Sequence, residues 1–167
     1  MKGGERMLKF LRFSIGSYFG GYDEISLWIH DHSAEYEILF ISESLIDEIH
    51  NEIKDYDFRR NLAELKGIAT ENDGTIVPAI PKTNERFPVK NPERLSEWAT
   101  LGVNSWADEY FECCCDGTQW ELVYREDGKK ERRTYGSNAY PPNWNQFIEW
   151  LDALMPEMRF AKSKVEE

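Results

Sequence analysis

The chain has 167 residues, 41% hydrophobic and 14% aromatic, and its 20 Lys and Arg against 31 Asp and Glu leave a formal charge of −11. That length suits one domain, read as residues 1–167, and the bulky apolar content supplies a self-sufficient core, which excludes intrinsic disorder. The acidic excess disfavours direct binding of nucleic acid and docking on anionic membranes, since both partners require a cationic surface.

The N-terminal stretch MKGGERMLKF lacks the apolar run of a signal peptide, and no stretch of about 18 apolar residues offers a membrane span. The cysteines are consecutive, Cys113, Cys114 and Cys115. Strand neighbours point to opposite faces and the count is odd, so they read as small buried hydrophobes and not as a disulfide framework. A reducing, cytoplasmic setting is expected.

In chain order, residues 8–18 alternate, with Leu8, Phe10, Arg12 and Ser14 on one side and Lys9, Leu11, Phe13 and Ile15 on the other, which predicts a strand. Gly20-Gly21-Tyr22-Asp23 is a turn signal. Residues 24–31 and 35–42 alternate again, so the three runs predict an antiparallel meander. The period then lengthens. Leu45, Ile46, Ile49, Ile53 and Tyr56 share one helical face over 44–56, with Ser44 as the expected N-cap, and Phe58, Leu62 and Leu65 predict a second helical stretch ending near Gly67.

Pro78, Pro81, Pro88 and Pro92 mark 71–92 as a long loop. Asn91-Pro92 reads as an N-cap with Pro at the first helical position, opening a short helix that carries Leu95, Trp98 and Leu101 and ends at Gly102. A strand over about 109–115 places Phe111, Cys113 and Cys115 on one face. Asp116-Gly117 and Asp127-Gly128 are hairpin signals flanking a strand at 119–126, and 129–135 returns as a charged strand at an edge or with one wet face. Trp144, Phe147, Ile148, Leu151, Leu154 and Met155 form the stripe of a C-terminal amphipathic helix; Asn143 with Gln146 resembles a capping box, Pro156 is the stop, and 161–167 is expected to fray. The sum is an α+β fold, a mostly antiparallel sheet of about six strands in two hairpin blocks with about three or four helices.

The acidity is concentrated. Residues 31–57 hold nine acids against Lys54, and 97–124 hold six acids and no Lys or Arg, so the remainder of the chain is basic by three charges. Asp47, Glu48, Glu52 and Asp55 lie along the polar side of the first predicted helix, and Asp108, Glu109 and Glu112 form a second group. A solvated face is the plainer reading of such residues. A coherent acidic field also attracts a cationic protein and speeds its association, which makes these seven the candidate partner-binding residues.

Signals for chemistry are sparse. His30 and His32 share a strand face and with Glu35 could ligate zinc, but no distant His or Cys pair completes a site, so neither metal nor cofactor is expected. No G-x-S-x-G, P-loop or G-x-G-x-x-G occurs. Two alternatives stay open: a small metal-dependent enzyme using His30 and His32 with the proline-rich loop as a lid, and an adaptor that dimerises through its Trp-rich C-terminal region. Residues 136–144 read as a stiff strand-to-helix connection, or as a recognition loop built on Asn138, Tyr140 and Trp144.

Asp116-Gly117-Thr118-Gln119-Trp120, then Asp127-Gly128-Lys129, then Gly136-Ser137-Asn138-Ala139-Tyr140-Pro141 and a terminal helix resemble a pattern of small uncharacterised bacterial proteins. Some of these look like immunity proteins of contact-dependent or polymorphic toxin systems. The resemblance spans about residues 116–154 and implies, above all, a shared hairpin-and-helix frame. With the acidic surface it implies a non-enzymatic protein that occludes the cationic cleft of a basic, nuclease-like toxin. It brings no catalytic residues with it.

Overall fold

The computed structural model describes residues 7–17, 20–31, 33–42, 45, 86–113 and 117–166. They form a seven-stranded sheet of β1 (Leu8–Ser17), β2 (Gly21–His30), β3 (Ser33–Phe40), β4 (Phe87–Pro88), β5 (Glu109–Phe111), β6 (Thr118–Glu126) and β7 (Arg132–Ser137). The strand order is β4-β3-β2-β1-β6-β7-β5. Among the described residues the sheet is joined by one α-helix, α1 (Trp144–Leu154), and by 3-10 segments at Pro92–Thr100, Val103–Ser105, Pro156–Met158 and Phe160–Ser163. This is the expected α+β class with one more strand than anticipated. No helix among the described residues is long and apolar enough to cross a membrane.

β1 sits at the centre because it is apolar on one side along its length and has a hairpin partner on only one edge. β2 takes that edge and the distant β6 takes the other, both antiparallel. Alternation places Leu11, Phe13 and Ile15 on the buried face. Leu8 joins them, against the strict period of two, because the register against β6 shifts between Leu8 and Phe10. Such a bulge inserts one residue, here Lys9, and turns its neighbour over.

Several elements differ from the sequence-based expectation for identifiable reasons. The proline-rich stretch is not all loop: Phe87 and Pro88 pair with Tyr36 and Glu35 as an edge strand, the position in a sheet that tolerates proline. β5 is not half of a hairpin with β6; it adds parallel to β7 at the sheet edge. Pro92–Thr100 is 3-10 and not α. Its apolar residues Leu95, Trp98 and Leu101 are spaced by threes, the repeat of a 3-10 helix.

Neither expected asparagine cap forms. Asn91 and Asn143 both adopt positive φ, 49° and 64°, without a side-chain cap. Asn91 instead donates from Nδ2 to Ala153 O at 2.9 Å, beside Lys90 N–H to Leu154 O at 2.8 Å, so this segment satisfies the last carbonyls of α1. Leu45 N–H bonds Ser42 Oγ at 3.3 Å, which makes Ser42 the cap-like residue; the expected cap Ser44 and the stretch 46–69, where two helices are expected, lie outside the described residues. The tail is not frayed. Trp144 Nε1 donates to Ser163 O, Asn145 exchanges two hydrogen bonds with Val165, and Lys164 pairs with Glu149 at 2.6 Å.

The core lies between one sheet face and α1 with its flanking 3-10 segments. Phe13 is at its middle, with ring centroids 5.4 Å from Phe147, 5.5 Å from Phe160 and 6.0 Å from Trp144. The tail is clasped a second time at Asp23, which is 3% exposed: its carboxylate accepts Ser42 N–H at 2.7 Å and meets Lys162 Nζ at 3.0 Å.

Asp23→Ala therefore removes an ion pair and strands a backbone N–H. The variant is expected to lose about 2–3 kcal/mol in denaturant unfolding, and Asp23→Asn, which keeps an acceptor for Ser42, to lose less. Equal losses in the two variants would show that the Ser42 bond is unimportant.

Candidate functional site

The C-terminal sequence pattern proves to be an internal lock. A Cβ at Gly136 would lie 2.4 Å from Trp120 Nε1, and one at Gly117 would overlap the side chain of Asn138. Gly136 thus leaves room for an indole whose N–H donates to Ala139 O at 3.0 Å. Asn138, at φ 57°, turns the chain and donates its N–H to Thr118 O. Tyr140 lies 5.0 Å from Trp144, which is 2% exposed in the core. The proposed recognition loop of Asn138, Tyr140 and Trp144 is accordingly a packing joint: Trp144 has no free face, and Asn138 and Tyr140 are half-buried.

Of the acidic candidates, Asp47, Glu48, Glu52 and Asp55 lie outside the described residues. Asp108, Glu109 and Glu112 are described, and the structure brings them together around β5. Register against β7 puts Glu109 beside Tyr135 and Phe111 beside Ser137, on the sheet face away from α1. Tyr110 takes the opposite side, half-buried, its hydroxyl accepting Ala107 N–H. The outer face of this edge therefore presents Glu109 with Phe111, which is 68% exposed, and Tyr135, which is 36% exposed, while Asp108 and Glu112 are exposed just beyond the two ends of β5.

Charges on this edge are weakly compensated. Asp108 lies 3.8 Å from Arg132, but that guanidinium is engaged by Asn104 O and Trp106 O. Glu109 and Glu112 form no ion pair among the described residues. By contrast Glu97 is held by Arg94 and Glu121 by Arg133, so those two acids of the same acidic segment are neutralised locally. Sequence reasoning missed Phe111 and Tyr135, because alternation grouped Phe111 with Cys113 as a buried face. Cys113 is in fact exposed, contrary to the expected burial, and Cys114 and Cys115 lie outside the described residues.

Of the residues in the metal reading, His30 and Glu35 are described. His30 Nε2 is 3.1 Å from Glu35 Oε1, and the same oxygen lies 3.5 Å from Arg86, so the carboxylate is already shared by two side chains. Among the described residues no group of three His, Cys, Asp or Glu could hold a metal ion; His32 is outside them.

Compared with protein-family models, curated proteins and solved structures, the chain matches none. The site must therefore be argued from its own chemistry.

Elsewhere on the outer sheet face two ion pairs lie on adjacent strand pairs. Arg12 lies 3.7 Å from Glu24, two strands from the Arg133–Glu121 pair. Burial raises the Glu24 carboxyl above its ordinary range and Glu121 adds to this, with Arg12 opposing. A raised carboxyl favours the protonated native state, so its contribution to stability falls as the pH climbs above about 4. Glu24→Gln should thus gain stability relative to the parent between pH 4 and pH 7 in denaturant titrations, whereas a gap that is constant or narrows would contradict this.

Proposed function

We propose that this protein is a non-enzymatic, cytoplasmic binding protein of the immunity type. In this reading it neutralises a basic, nuclease-like toxin by covering its cationic cleft. The observation that carries the reading is the β5 edge: Glu109 on the face of the exposed Phe111 and Tyr135, with Asp108 and Glu112 exposed at the two ends of the strand. This chemistry suits a Lys- and Arg-rich partner. Carboxylates steer and pair with cations, exposed rings accept them by cation–π contact, and an aromatic anchor is a frequent centre of binding energy. β5 is also a three-residue edge strand, a place where another chain can approach the sheet. Asp47, Glu48, Glu52 and Asp55 belong to the proposal on sequence grounds alone.

The test is co-expression with the product of the gene immediately upstream, which this reading expects to carry the toxic domain. Growth should be restored and a complex should be recoverable, its affinity falling as salt rises, mainly through slower association. Combined Asp108→Lys, Glu109→Lys and Glu112→Lys should weaken binding by at least about tenfold, and Phe111→Ala by roughly tenfold. If the toxin is not neutralised, or if the charge-reversed protein binds as well as the parent, the reading fails.

A further inference from the structure

A second surface, at the opposite end of β7, has the reverse character. A cleft of about 380 Å³ opens beside the β6–β7 turn, lined by Lys9, Trp28, Ile29, His30, Arg125, Asp127 and Lys129 among others. Its cations come from separate places. Lys9 is the bulge residue of β1, Arg125 lies on β6, and Lys129 lies in the turn that follows. The bulge thus has a positional consequence, since it lets Lys9 join a cleft at the sheet end.

These three cations form no ion pair among the described residues, a state they share with Lys90 and Lys130. Arg12, Arg86, Arg94, Arg132, Arg133, Lys162 and Lys164 each meet a carboxylate. In a chain with eleven excess acids that is the expected outcome. Holding the like charges of Lys9, Arg125 and Lys129 close together is unfavourable. Two acids share the cleft. Glu126 is 5% exposed and is turned inward, its Oε2 accepting Trp98 Nε1–H at 3.1 Å and Asn104 Nδ2–H at 3.3 Å. Asp127 is exposed at the rim. Trp28, on the outer sheet face, is the aromatic side of the cleft, with the Arg86 guanidinium 4.0 Å over its ring and the Phe10 ring 5.8 Å away. The volume falls in the range of small-ligand sites.

We propose that this cleft binds a nucleoside phosphate: the phosphates between Lys9, Arg125 and Lys129, the planar base against the exposed part of Trp28, and a hydroxyl or amine at Asp127. The combination decides the class. Three cations alone suit any anion, whereas the adjoining ring wall and rim carboxylate favour a phosphate that carries a ring and hydroxyl groups. The site is separate from the β5 edge and does not depend on the toxin-binding reading. The nucleoside phosphate is either a free nucleotide or the end of a nucleic-acid chain.

Titration of ADP, followed by calorimetry and tryptophan emission, tests this directly. Trp28 is half-buried, whereas the other five tryptophans are at most 2% exposed, so a ligand in the cleft changes the emission of Trp28. ADP should bind saturably, with inorganic phosphate at least about tenfold weaker. Combined Lys9→Ala, Arg125→Ala and Lys129→Ala should weaken ADP by at least about tenfold while leaving the thermal transition intact, and Lys130→Ala, outside the cleft, should leave binding unchanged. A 5′-phosphorylated oligoadenylate distinguishes the sources: tighter binding than ADP assigns the site to a nucleic-acid end, and weaker binding to a free nucleotide. No saturable ADP binding at millimolar concentration, phosphate binding as tightly as ADP, or ADP binding that survives the triple substitution would each overturn the proposal.

Discussion

A tryptophan buried in an apolar layer must find an acceptor for its indole N–H or forfeit about 1–3 kcal/mol. Five tryptophans face that demand here, and each meets it outside the regular ladder of the sheet. Trp106 donates to Pro142 O, Trp120 to Ala139 O, Trp144 to Ser163 O and Trp150 to Arg94 O, while Trp98 donates to the buried carboxylate of Glu126. The acceptors lie mostly in turns, 3-10 segments and the tail. The rings fill the space between sheet and helix, and their polar edges fix the irregular chain around them. The Trp144 bond to Ser163 O is one of the contacts that hold the described tail against α1.

The same arrangement divides the surface. The tryptophan-rich core fills one sheet face, and the opposite face carries charged and polar side chains together with Phe10, Trp28 and Tyr135, with Arg12–Glu24 and Arg133–Glu121 paired across its strands. Two local groups of opposite sign flank β7: carboxylates with exposed rings beside β5, and cations without ion pairs among the described residues at the β1 bulge and the adjoining turn. A net charge of −11 conceals the second of these.

Much of the architecture could be read from local patterns. Strict alternation marks β1, β2 and β3, Asp127-Gly128 marks the second hairpin, and the stripe from Trp144 to Leu154 marks α1. Features that depend on distant partners could not be read this way. The parallel addition of β5 requires β7 to be in place, and the exposure of Phe111 follows from that pairing. The asparagines at 91 and 143 are common cap residues, yet their side chains are drawn to Ala153 and Leu101 in other segments. Of the candidate site, the acids were readable and the aromatics were not: charge near a turn implies exposure, whereas an alternating Phe implies burial until an edge is known. The threefold spacing of Leu95, Trp98 and Leu101 was a readable signal for a 3-10 segment that helical expectations obscured.

The central position of β1 bears on how the chain is made. Its partner β6 begins 101 residues after β1 ends, so at ribosomal speeds one edge of the middle strand waits for about 5–20 seconds before its neighbour is synthesised. Throughout that interval the apolar side carrying Leu11, Phe13 and Ile15 also lacks the helix that will cover it. The nascent meander is consequently a substrate for chaperones, and rare codons placed between residues 40 and 117 would lengthen its vulnerable period without altering a single contact of the finished molecule.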